Sequence, residues 1–140
     1  MQVQEAMSAA VLTVGPEHTL RQTAQLMSSR RVGSAVVFDP EGEGVGIITE
    51  RDILTALGAG VDPDTERVAG HLTWDVVYAS PSWTIEDAAA AMVRGGFRHL
   101  VVMDGGETAG ILSVRDVVRC WTDDGASCEL PQQPGLARAS

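Results

Sequence analysis

The chain has 140 residues, 44% of them apolar and 21% charged, and its ten basic residues are all arginine. That is the composition of an ordinary globular chain, and its net charge of −9 argues against a nucleic-acid partner, which needs clustered cationic side chains. No apolar run approaches a membrane span, and Met1-Gln2-Val3-Gln4-Glu5 lacks the basic region and apolar core of a secretory leader, so neither a membrane nor an export route is expected and a cytoplasmic location is the default.

In chain order, Val11-Leu12-Thr13-Val14 reads as a short strand ended by Pro16. Thr19 with Gln22 has the spacing of a capping box and opens a helix. Leu20, Ala24 and Met27 share one face of it, and Arg30-Arg31 read as favourable charge at its C-terminal end. Two strands follow, Ala35-Val36-Val37-Phe38 and Val45-Gly46-Ile47-Ile48, joined by the turn formers Asp39-Pro40-Glu41-Gly42. A second helix begins after Thr49. The stretch from Gly58 to Asp64 has linker composition.

The same order then returns. Val76-Val77-Tyr78-Ala79 is followed by Pro81, and Thr84 with Asp87 opens a helix carrying Ile85, Ala89 and Met92 on one face. The strands Leu100-Val101-Val102-Met103 and Thr108-Ala109-Gly110-Ile111-Leu112 flank Asp104-Gly105-Gly106-Glu107. A last helix follows Ser113. Shifting the chain by about 65 residues superposes Val11 on Val76, Pro16 on Pro81, Met27 on Met92 and Val36 on Val101; after one residue is lost in the second turn, Gly46 meets Gly110 and Asp52 meets Asp116. The expected layout is one repeat over 1–57, a linker over 58–67, a second repeat over 68–121 and a C-terminal tail over 122–140. A unit of about fifty residues can barely bury enough apolar surface alone. The two halves are therefore expected to pack through their sheets as one α/β (α+β type) domain of two β-α-β-β-α units with pseudo-twofold symmetry.

Gly46-Ile47-Ile48-Thr49-Glu50-Arg51-Asp52 recurs in form as Gly110-Ile111-Leu112-Ser113-Val114-Arg115-Asp116. Thr49 and Ser113 stand where an N-cap belongs, with Asp52 and Asp116 near the positive end of the helix dipole. The same geometry suits a ligand. Free N–H groups at a helix start host polar groups, and a carboxylate there can accept hydrogen bonds from two ribose hydroxyls. Capping alone does not explain why an arginine precedes the aspartate in both copies. Tyr78 and Trp83 read as packing residues, Met27 and Met92 as core, and His18 and His71 as surface residues. Cys120 and Cys128 read as reduced thiols, with a small-loop disulfide left open. No Cys/His cluster has metal spacing. No nucleophile-base pair or Gly-rich phosphate loop suggests an enzyme.

These motifs resemble a tandem pair of cystathionine-β-synthase (CBS) domains, a Bateman module: the Gly-x-x-Thr/Ser-x-Arg-Asp segments, the Pro-x-x-Thr-Leu/Ile helix starts and the Val-Val-x-Asp strand ends occur twice. The resemblance covers about residues 3–121. It implies two clefts between sheet-packed repeats, adenosyl ligands such as AMP, ADP, ATP or S-adenosylmethionine with no cofactor required, disk-like homodimers, and a regulatory role. By resemblance, Asp52 and Asp116 would hold ribose hydroxyls, and Thr49 and Ser113 ribose or phosphate. Thr13-Val14 and Tyr78-Ala79 would line the adenine, with Gly46 and Gly110 part of the same sites. Arg98 and His99 would face phosphate, where the first repeat has the uncharged Gly33 and Ser34, and the Asp52 cleft would be favoured. The resemblance leaves two functional readings: a sensor of an adenosyl ligand that signals to a separate effector protein, or a dimeric, stress-associated scaffold with vestigial clefts. With so few cations near the motifs, ATP is expected to bind less tightly than AMP, adenosine or S-adenosylmethionine. The apolar final helices predict a homodimer.

Overall fold

The computed structural model describes residues 1–42, 44–74 and 76–123. The expected order of elements is present, with one helical turn added ahead of the first strand of each repeat. A helical turn, α1 (Val3–Ala6), precedes β1 (Thr13–Val14), α2 (Leu20–Arg30), β2 (Ser34–Asp39), β3 (Gly44–Thr49) and α3 (Glu50–Gly58). The second repeat holds a 3-10 turn (Val68–Gly70), β4 (Tyr78–Ala79), α4 (Ile85–Gly95), β5 (His99–Asp104), β6 (Glu107–Ser113) and α5 (Val114–Asp123).

Local chemistry accounts for most boundaries. The Thr19 hydroxyl accepts from Gln22 N while Gln22 Oε1 accepts from Thr19 N, so the capping box closes in both directions. At Thr84 only the hydroxyl half forms, accepting from Asp87 N at 3.0 Å. α2 and α4 both end in a left-handed residue, Arg31 at φ 56° and Gly96 at φ 69°. These positions are equivalent under the 65-residue shift, and only one is a glycine. The Gly105-Gly106 turn has positive φ at both residues, the conformation that closes a two-residue hairpin.

Each repeat forms a three-stranded sheet, with order β1-β2-β3 and β4-β5-β6. The first strand runs parallel to the second, and the second and third are antiparallel. The second antiparallel pair carries a register shift between Val102 and Met103 that the first lacks. Alternation along the strands sends side chains to two faces. Val37 and Ile48 join Leu20, Met27 and Ala56 in a core beneath α2 and α3. Val102 and Leu112 join Ile85, Ala88, Met92 and Val117 beneath α4 and α5. The opposite faces meet: Val36 and Ile47 from one sheet pack on Val101 and Ile111 from the other. Full burial of each such side chain stabilises by about 1.5–3 kcal/mol, so this seam makes one domain of the two halves.

The segments that open the two repeats are exchanged. Val3, Ala6 and Met7 pack on the core of the second repeat, whereas Val68 and Leu72 pack on the core of the first. Val3 and Val68 are equivalent residues and both are fully buried. Ser8 then pairs with Ile111, and Thr73 with Ile47, as isolated antiparallel bridges. Each sheet thus gains an edge contact from outside its own strands.

Cys120 is buried in the second core. Cys128 and the tail from 124 lie outside the described residues. Among the described residues, no helix is long and apolar enough to cross a membrane, and no cluster of ligating side chains could hold a metal.

Candidate functional site

Two clefts lie at the starts of α3 and α5, between the two halves. One, of about 910 Å³, is lined by Ser113 and Asp116 and reaches the first repeat at Val32, Gly33 and Ser34. The other, of about 240 Å³, is lined by Thr49 and Asp52 and reaches the second repeat at Phe97, Arg98 and His99. Each cleft takes its carboxylate from one repeat and its opposite wall from the other.

Both carboxylates are held by the turn that caps their helix. Asp52 Oδ2 accepts from Thr49 N at 2.8 Å and from the Thr49 hydroxyl at 3.1 Å, while Asp52 N donates to that hydroxyl at 3.4 Å. Asp116 Oδ2 accepts from Ser113 N at 2.8 Å and the Ser113 hydroxyl at 2.9 Å, and Asp116 N donates back at 3.2 Å. Capping and ligand readings therefore use different atoms, since the cap occupies Oδ2 and leaves Oδ1. At Asp52, Oδ1 has no hydrogen-bond partner among the described residues. At Asp116, Oδ1 receives Arg119 Nη1 at 3.2 Å. Asp116 is correspondingly more enclosed, at 9% exposure.

Arg98 and His99 line both clefts, as does Glu50. They stand at the seam between the halves, where a Cβ on Gly33 would come within 3.2 Å of Glu50 Oε1 and 3.3 Å of His99 Nε2. The expectation that assigned Arg98 and His99 chiefly to the Asp52 cleft therefore changes: they form a shared wall. Burial lowers the His99 pKa below its ordinary value. The carboxylates of Glu50 and Asp116 oppose that shift, and Arg98 adds to it.

Six of the sequence-derived site residues line neither cleft. Val14 and Ala79 are buried in the cores of their own repeats, because β1 and β4 turn those side chains toward the helices. Thr13 is exposed, and the Tyr78 hydroxyl donates to Val45 O at 3.1 Å. Gly46 and Gly110 are buried under the exchanged segments. The cleft walls come from residues two positions earlier in each repeat, Val11-Leu12 and Val76-Val77. The expected contacts move because the first strands are only Thr13–Val14 and Tyr78–Ala79, and the residues just before them border the openings.

Sequence reasoning also missed Phe97 with its counterpart Val32, and two arginines. Arg31, read as a helix-end charge, lines the Asp116 cleft, as does Arg119. That cleft collects Arg31, Arg98, Arg115 and Arg119 against the carboxylates of Glu50 and Asp116. The Asp52 cleft balances Arg51 and Arg98 against Glu50 and Asp52, and its walls include Val76, Val77 and Phe97. In the Asp116 cleft this convergence adds Arg31 and Arg119 to the cations that the motifs alone suggested. A helical face signal for Arg119 existed in its three-residue offset from Asp116.

A duplicated β-α-β-β-α unit with clefts between its halves defines a two-repeat α+β fold. The CBS-domain family model matches residues 3–59 and 68–123, so the chain belongs to the CBS-domain family. It is 32% identical over 124 residues to an uncharacterised protein of Methanocaldococcus jannaschii, covering 89% of this chain but only 44% of that protein. A solved protein with CBS domains from Burkholderia ambifaria superposes with a TM-score of 0.82 at 27% identity, covering 89% of this chain and 96% of that one. A CBS-domain protein from Pyrobaculum aerophilum, solved in complex with AMP, superposes with a TM-score of 0.75 at 26% identity, covering 83% and 89%.

Proposed function

We propose that this CBS pair is a sensor module that binds an adenosyl ligand between its repeats and signals to a separate effector protein. The observation that carries the reading is the open Oδ1 of Asp52, on a carboxylate already oriented by Thr49 and lining a cleft. A carboxylate fixed through one oxygen presents the other to hydroxyl donors without a cost in reorganisation. The adjoining apolar wall of Val76, Val77 and Phe97 suits the face of a base. The AMP complex of the Pyrobaculum relative supports the ligand class. The signal would travel through α3 and α5, which carry both the site carboxylates and exposed apolar residues.

A thermal-shift panel of adenosine, AMP, ADP, ATP, S-adenosylmethionine and NADH tests the reading. A ligand at a hundred times its Kd stabilises the folded state by about 2.7 kcal/mol, a visible change in Tm for a domain of this size. Asp52→Ala should abolish the shift arising in one cleft and Asp116→Ala that in the other. A panel with no shift from any adenosyl compound would leave the scaffold reading in its place.

A further inference from the structure

The two clefts are equivalent in ancestry but not in chemistry. We infer that the Asp116 cleft is selective for nucleoside polyphosphates, with Arg119 and Arg31 as the residues that set the selectivity. This rests on the adenosyl-sensor reading and adds what distinguishes its two sites.

Arg119 supplies the first argument. Its guanidinium occupies Asp116 Oδ1, the oxygen corresponding to the open one on Asp52. A nucleoside entering this cleft must share Asp116 Oδ1 with that guanidinium or displace it, and a neutral one offers Arg119 no anion in return. A ligand carrying a diphosphate offers Arg119 a second anionic partner as its sugar takes Oδ1. The side chain is free to make that move, because 57% of it is exposed while that of Asp116 is 11% exposed.

Arg31 supplies the second, independently. It adopts φ 56° and is the only described non-glycine residue with positive φ. The equivalent position bordering the smaller cleft is Gly96, at φ 69°. Left-handed backbone is unfavourable for a side chain that has a Cβ and routine for glycine. An arginine therefore stands where glycine would fit with less strain, and it lines the cleft that also collects Arg98, Arg115 and Arg119. Guanidinium groups match phosphate oxygens in planar, two-point geometry. The larger volume accommodates the added phosphates, about 910 Å³ against 240 Å³.

Calorimetric titration of the full chain carrying Asp52→Asn, which silences the smaller cleft, uses ADP, adenosine and inorganic pyrophosphate as probes. ADP should bind at least about tenfold more tightly than adenosine, the scale of one charge-assisted hydrogen bond, and pyrophosphate should compete with it. In the same background, Arg31→Gly should keep or raise the Tm while weakening ADP about tenfold and leaving adenosine unchanged. Arg119→Gln should move the two ligands in opposite directions, weakening ADP and strengthening adenosine. Equal affinity for ADP and adenosine, or an ADP-to-adenosine ratio unchanged by both arginine replacements, overturns the inference. If the wild-type chain binds adenosyl compounds only in a manner that Asp52→Asn abolishes, the selectivity claim fails and the sensor reading survives. Absence of adenosyl binding to the wild type sinks both.

Discussion

A methyl group built on Gly46 would lie 2.9 Å from the carbonyl oxygen of Thr73. The same relation holds in the other half, where a methyl on Gly110 would lie 2.6 Å from Ser8 O. Both glycines admit the backbone of an exchanged segment, which then pairs with the neighbouring residue: Thr73 N donates to Ile47 O at 2.9 Å, and Ser8 N to Ile111 O at 2.9 Å. Their recurrence in the motif thus reflects assembly of the two halves. Gly46→Ala and Gly110→Ala should each lower stability by about 1–3 kcal/mol, the cost of overpacking a close contact. Urea unfolding monitored by circular dichroism measures this, and an unchanged midpoint would show that the segments need no such clearance.

His99 should make both stability and binding depend on pH. Its folded pKa lies below the ordinary 6.5, chiefly through burial. Between the lowered value and 6.5 the unfolded chain holds a proton that the folded chain does not. Stability from this group is therefore present above about 6.5 and is lost as pH falls through the folded value. A bound phosphate beside the imidazole favours the protonated form, so polyphosphate affinity should rise from pH 8 toward pH 6. Glu50, Asp116 and Arg98 are the other charges acting on this ring, and a histidine ordinarily changes charge near that range. His99→Gln should flatten both profiles; titrations of ADP at the two pH values provide the check.

Thr23 is fully buried on α2 and its hydroxyl has no hydrogen-bond partner among the described residues. An unpaired buried polar atom costs about 1–3 kcal/mol. Thr23→Val keeps the β-branched shape and removes the orphan, so it should raise stability by about 1 kcal/mol. Differential scanning calorimetry of the two proteins decides the matter, a lower Tm in the variant being the contrary result.

The outer helices leave apolar side chains in water. Leu54 is 70% exposed on α3, and Val118 and Trp121 are 52% and 43% exposed on α5. Scattered exposed residues need no explanation, but these occur on both helices of one kind, as expected for a surface that pairs with a second copy. Sedimentation of the wild-type chain at micromolar concentration should report a dimer, and Leu54→Glu combined with Trp121→Glu a monomer. A wild-type monomer would end the proposal that these faces associate.

The duplication, the order of elements and the capped carboxylates at Asp52 and Asp116 were legible in the residues alone. Strand alternation, helical faces and N-caps are short-range patterns, and a repeat shows them twice. What the chain could not display was which segment crosses to which half: Val3 and Val68 look alike, and their exchange is decided by sheets that meet at Val36 and Val101. The open oxygen of Asp52, the engaged oxygen of Asp116, and the meeting of Arg31 with Arg115 and Arg119 in one cleft likewise belong to tertiary structure. Those groups are brought together only after two apolar sheet faces close on one another, because burial fixes distances between residues that no local pattern relates.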